Sequence, residues 1–262
     1  SKETIHFILK IVETTQKIGK LQEALEYLNT ALNQAESEQW EEELKDIYLS
    51  MGTTYYYLNR MDKALKYFDL AVFLMEKEKN SSERSKKSIS NLETKSYRLM
   101  GSSYFFFSDM RKAEHYLSLA LKYLESGDID NKTSVYGLRS WTYIFLCQND
   151  KVKKDLKKLE IFLKQVENPL LLSQIYHLAS VCYSMAGIDP EKALEYTFKS
   201  YDYAEKTGYL LFRYSSMASR MWAYFYLGRY ENALETIDSA LEISRKNNIK
   251  IGVYFFHSYR CE

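Results

Sequence analysis

Four histidines and three cysteines carry the most versatile chemistry in this chain of 262 residues, and their spacing argues against its use. His6, His115, His177 and His257 are far apart, and none has a Cys, Asp or Glu at metal-ligand spacing, so no metal or other cofactor is expected. Cys147, Cys182 and Cys261 show no paired spacing of the redox or zinc type. An odd, scattered set of thiols suits a reducing compartment, where Cys packs as a small apolar residue, and a cytoplasmic location is expected. Asp128-Ile129-Asp130-Asn131-Lys132 has the flavour of a calcium loop without its central Gly or terminal ligand, so an ordinary turn is expected there. The chain has no glycine-rich phosphate loop and no nucleophile elbow, and its acidic pairs fit solvated helix faces. An enzyme is not expected.

The charges nearly cancel, 36 basic against 35 acidic, so net charge gives no specific nucleic-acid signal. The densest basic run, Lys151-Val152-Lys153-Lys154-Asp155-Leu156-Lys157-Lys158, reads first as a solvated face and second as a contact for an acidic partner or nucleic acid. Nothing approaches 18 consecutive apolar residues, and the N-terminus lacks the charged-then-apolar pattern of a leader. The chain starts without Met and ends within what reads as a helix, which points to a piece of a larger protein.

The elements that must position these residues come from a repeat. A small or apolar residue is followed seven positions later by another at Ala24/Ala31, Ala64/Ala71, Ala113/Ala120, Val152/Leu159, Ala193/Ser200 and Ala233/Ala240. The first members recur after 40, 49, 39, 41 and 40 residues. Seven residues are two helical turns, so both members share a face, and their size lets two helices approach closely. Upstream lie aromatic-rich segments with Tyr48, Tyr55, Tyr97, Tyr104, Tyr136, Tyr143 and Tyr224 at equivalent positions.

The pattern predicts helices over 2–17, 20–36, 39–58, 61–76, 88–108, 110–124, 132–147, 150–164, 169–186, 189–206, 209–227 and 230–245, with an incomplete one from 248. That amounts to six pairs and part of a seventh in one domain over 1–262. Only 9 Gly and 2 Pro occur, and Gly19, Gly228 and Asp189-Pro190 fall at predicted helix ends. The long interval comes from polar residues around 79–88, expected as an exposed connection. One pair cannot bury so much apolar surface, so neighbouring pairs must stack.

Tyr48-Met51-Gly52-Tyr55-Ala64-Ala71 and Tyr97-Met100-Gly101-Tyr104-Ala113-Ala120 resemble the tetratricopeptide repeat family. The fourth pair is degenerate, with Tyr136, Ser140, Tyr143, Val152 and Leu159 at those places. The resemblance implies an all-α, right-handed solenoid of stacked antiparallel helix pairs. The period near 40 residues is similar to that of peptide-sensing regulators of Gram-positive bacteria and of repeat domains in large signalling proteins. It further implies a concave groove, lined by the first helices, for a protein segment or peptide. The matching positions include Tyr56, Lys95, Arg98, Phe105, Trp141, Tyr176, Tyr183, Trp222 and Phe225. Thr53, Ser102 and Ser180 stand where chaperone-binding members have Asn, which argues against that activity. The expected function is a binding module of regulatory type, with a passive assembly scaffold as the competing expectation.

Overall fold

The computed structural model describes residues 1–17, 19–80, 91–124, 128–208, 210–247 and 256. Among them are twelve α-helices and no strand. They are α1 (Lys2–Lys17), α2 (Leu21–Ser37), α3 (Glu41–Tyr57), α4 (Met61–Asn80), α5 (Asn91–Phe106), α6 (Met110–Tyr123), α7 (Ile129–Phe145), α8 (Asn149–Leu163), α9 (Pro169–Met185), α10 (Pro190–Thr207), α11 (Leu210–Tyr226) and α12 (Tyr230–Asn247). The fold is an all-α solenoid of stacked helix pairs, and the chain divides into two compact units, Ser1–Leu124 and Glu125–Glu262.

The close approach inferred from the small residues is real. Every member of the six spaced pairs is buried in its second helix. Within α3/α4, a Cβ placed on Gly52 would lie 2.5 Å from the Phe68 ring, and within α5/α6 one on Gly101 would lie 2.6 Å from Leu117. Phe68 and Leu117 are fully buried, and each contributes about 1.5 to 3 kcal/mol of apolar transfer free energy.

All six first helices end in the same way. Gly19, Asn59, Ser108, Cys147, Gly187 and Gly228 adopt left-handed backbone with φ between 55° and 78°. The following amide then donates to the carbonyl five residues back, as in Arg60 to Tyr55, Asp109 to Tyr104 and Arg229 to Tyr224, at 2.9 to 3.0 Å. This closure satisfies carbonyls that the helix end would otherwise leave open and reverses the chain into the second helix.

In the first unit, α1, α3 and α5 pack side by side. Gln16 Nε2 donates to Ser50 O and Thr54 Oγ1, and a buried Lys45–Glu93 pair at 3.3 Å ties α3 to α5. In the second unit, α7, α9 and α11 do the same. There Ser219 Oγ lies 2.6 Å from His177 Nδ1, and Cys182 Sγ approaches Gly137 O at 4.0 Å.

Most helix ends fall within one or two residues of expectation, and two depart further with a clear physical cause. Asp128 accepts from Asn131 N at 3.3 Å and caps α7, so the segment expected to be a turn over 128–132 opens the helix at Ile129. Helix α4 runs past 76 to Asn80, where Lys77 pairs with Glu41. Of the connection expected at 79–88, only the end of α4 is described. Residues 81–90, the helix expected from 248 except Phe256, and both His257 and Cys261 lie outside the described residues.

Candidate functional site

Counting from the position shared by Gly52, Gly101, Ser140, Ser180 and Met221 in their first helices, two faces emerge. Positions one, four and five later lie on one side, because residues three and four apart share a helix face. The position three later lies on the opposite side, with the one four earlier.

The first face is rich in exposed rings. Tyr57, Phe106, Phe145, Met185 and Tyr226 all stand five residues after Gly52, Gly101, Ser140, Ser180 and Met221, and each is 38% to 62% exposed. Single exposed apolar residues are ordinary, but one at the same register in α3 and α5 of the first unit, and in α7, α9 and α11 of the second, gives each unit a surface. In the second unit it is broadened by Trp141, 6.5 Å from Phe145, and by Trp222, edge-on to Phe225 at 6.0 Å and 6.2 Å from Tyr226. Tyr230 extends it, 5.8 Å from Phe225.

In the first unit, Tyr56 and Phe105 meet Tyr57 and Phe106 edge-on, at 5.8 and 5.9 Å. The Tyr56 hydroxyl shares a 2.8 Å hydrogen bond with Ser102 Oγ, and Phe105 is buried. Lys95 Nζ lies 5.7 Å from the Tyr57 ring centre, within cation–π range. Arg98 is half-buried on the same face, and its buried Nε makes no hydrogen bond among the described residues. Thr53 and Ser180 are buried and spend their hydroxyls on Leu49 O and His177 O, at 2.8 and 2.7 Å.

Tyr176 and Tyr183 stand on the other face. Tyr176 stacks on Tyr203 at 5.8 Å and meets Tyr196 edge-on at 5.2 Å. Tyr183 donates to Glu160, which also accepts from Tyr196 at 3.1 Å and pairs with Lys192 at 2.5 Å. Burial alone would push the Glu160 carboxyl up, but hydrogen bonds from Lys192 and Tyr183 hold it below the usual carboxylate range. The residues matched from sequence therefore form two groups. Trp222 joins Phe225 on the ring-bearing face, whereas Tyr176 and Tyr183 join Tyr196 between first and second helices.

Sequence reasoning missed Tyr57, Phe106, Phe145, Met185 and Tyr226. Their signal was present in part, since Tyr57 and Phe106 each stand five residues after the glycine of the repeated Met-Gly motif. Among the described residues, no group of three or more His, Cys, Asp and Glu could hold a metal ion, and no helix is long and apolar enough to cross a membrane.

This geometry of paired helices, close small residues and aromatic first helices has a known counterpart. Two segments, 45–72 and 222–247, match the tetratricopeptide repeat. No curated protein matches the chain by sequence. Among solved structures, that of NprR in complex with its cognate peptide NprX is similar at 14% identity and a TM-score of 0.68, covering 98% of this chain and 72% of that one. The apo form of RapI matches at 16% identity and a TM-score of 0.66, covering 98% and 70%. BtubC from P. vanneervenii matches at 14% identity and a TM-score of 0.61, covering 87% and 92%. The likeness is one of fold: a tetratricopeptide-like solenoid.

Proposed function

We propose that the chain is a binding module that takes a protein segment or peptide across its first helices and passes the event on as a regulator. The observation that carries this reading is the register of exposed residues Phe145, Met185 and Tyr226 on the adjacent helices α7, α9 and α11. Large rings with little rotamer freedom are efficient contact residues, and Trp141, Trp222 and Phe225 thicken the row. Tyr57 and Phe106, with Lys95 and Arg98 alongside, offer the first unit a comparable face, where a cation could meet a carboxylate. That NprR was solved with a cognate peptide supports the same ligand class.

A displayed peptide library panned against the chain tests the proposal. Peptides selected on the wild type should lose at least about tenfold in affinity on a Phe145→Ser, Tyr226→Ser double variant. Both side chains are about half exposed and lie outside the packed core, so that variant should stay folded with a melting temperature within a few degrees of the wild type. Undiminished binding to the double variant rejects this face. Solution scattering with and without a selected peptide then separates a regulator, whose envelope changes, from a passive scaffold, whose envelope does not.

A further inference from the structure

The second helices carry a groove of different chemistry. Between α8 and α10 lies an open cavity of about 620 Å³, floored by Tyr176 of α9 and walled by Lys157 and Lys164 on one side and by Lys192, Lys199 and Tyr196 on the other. Glu160 is its sole acidic lining residue, and its charge is already taken up by Lys192 and two tyrosine hydroxyls. Lys199 lies 5.5 and 5.6 Å from the ring centres of Tyr176 and Tyr196, and among the described residues its ion pair is with Glu195 on its own helix, an exposed contact at 2.5 Å that an incoming carboxylate can replace at little cost. Lys157 and Lys164 are exposed and make no ion pair among the described residues.

The local charge is far from that of the whole chain. Lys151, Lys153, Lys154, Lys157 and Lys158 are all exposed on α8, in a protein with a net charge of +1. Of the acidic residues on this helix, Asp155 is buried against Arg139 and Glu160 is paired with Lys192, which leaves the exposed Asp150 to offset one of the five lysines. The groove also has apolar surface, since Ile161 is 55% exposed at its edge.

We infer that the α8/α10 groove is a second docking site, separate from the first-helix face, for an acidic protein segment carrying an apolar anchor residue. Lys157, Lys164 and Lys199 supply the charge complementarity, and the exposed Ile161 supplies the apolar contact for the anchor. Single-stranded nucleic acid fits less well. Binding of that kind relies on open aromatic faces for base stacking, whereas Tyr176 is already stacked on Tyr203 and Tyr196 is buried.

Fluorescence anisotropy with a labelled octapeptide, Glu-Glu-Leu-Glu-Glu-Leu-Glu-Glu, tests the site on the whole chain. Binding should weaken at least about tenfold in a Lys157→Glu, Lys164→Glu double variant, fall steeply with added salt, and survive both Lys246→Glu on α12 and Phe145→Ser on the first-helix face. Circular dichroism should show the double variant folded, because both lysines are solvent-facing. The inference is overturned if the wild type does not bind the peptide, or if Lys246→Glu weakens binding as much as the double variant. It is overturned equally if Phe145→Ser abolishes binding, which moves the peptide to the other face. An oligothymidine or inorganic phosphate that binds more tightly than the peptide, and is lost in the same double variant, reassigns the groove to phosphate recognition.

Discussion

Arg139 grips Asp155 through two hydrogen bonds, Nε to Oδ2 at 2.7 Å and a terminal guanidinium nitrogen to Oδ1 at 2.8 Å, where other pairs place a tyrosine ring. In α3/α4 the equivalent ring is Tyr67, stacked on Tyr55 at 5.5 Å, and in α5/α6 it is Tyr116, stacked on Tyr104 at 5.5 Å. In α7/α8 the Arg139 guanidinium takes over, 5.7 and 5.5 Å from the ring centres of Tyr136 and Tyr143. An ion pair has replaced a ring while the flanking tyrosines remain.

The exchange makes a reciprocal prediction. Asp155→Ala leaves a largely buried guanidinium without its carboxylate and should cost about 3 to 5 kcal/mol in chemical denaturation. Arg139→Met with Asp155→Tyr restores the residues found at the equivalent places, Met51 with Tyr67 and Met100 with Tyr116. That double variant should recover most of the loss, since well-packed apolar replacements of buried ion pairs are often neutral or better. A double variant as unstable as Asp155→Ala would show that the pair does not stand in for the ring.

The same substitution explains what was legible in sequence and what was not. Ala64/Ala71 and Ala113/Ala120 revealed the fold because close helix approach tolerates only small side chains at fixed spacing, a constraint that survives in one dimension. Tyr176 and Trp222 did not sort into their two faces, because which side of a first helix meets α10 depends on packing between elements. The lysines of α8 read as a charge run, and only the placement of Lys192 and Lys199 across from them makes a groove. Asp128 read as part of a turn because a side-chain cap and a loop carboxylate look alike until the amide of Asn131 is placed.

Gly52 and Gly101 are required by space, since both lie in helix interiors where glycine is otherwise unfavourable. Gly101→Ala drives a methyl into Leu117 and should destabilise by about 1 to 3 kcal/mol despite the better helix propensity of Ala. Adding Leu117→Ala should shrink the cost of Gly101→Ala, leaving the part due to the Leu117 backbone nitrogen 3.1 Å from the new methyl, as a double-mutant cycle by thermal unfolding would record. Additive effects would place the strain elsewhere.

His177 gives stability a pH dependence. Burial lowers its folded pKa from 6.5 to about 4, while Ser219 stays bonded to its Nδ1. The unfolded chain therefore takes up a proton near pH 6.5 that the folded chain refuses until about pH 4. Stability from neutral His177 is complete above pH 6.5 and should be lost as pH falls toward 4, by about 3 kcal/mol in all. Urea titrations of wild type and His177→Asn check this, because the variant lacks the titrating ring. The gap between the two should narrow across that window, and a constant gap would remove His177 as the cause.

The left-handed residues that end the first helices give the last prediction. All six share a left-handed φ, yet only Gly19, Gly187 and Gly228 meet it without a Cβ penalty, and Asn59 is the next most tolerant type. Ser108 at φ 62° and Cys147 at φ 55° carry the strain in full. Replacing either with Gly should raise stability by a few tenths to about 1 kcal/mol, because relief of the folded backbone exceeds the extra freedom given to the unfolded chain. Gly187→Ala, with open space around its Cβ, should lower stability by about 1 kcal/mol through φ alone. If Cys147→Gly destabilised instead, the exposed thiol side chain would have to make contacts that outweigh its backbone strain, and the ranking Gly, Asn, then Ser and Cys at these turns would fail.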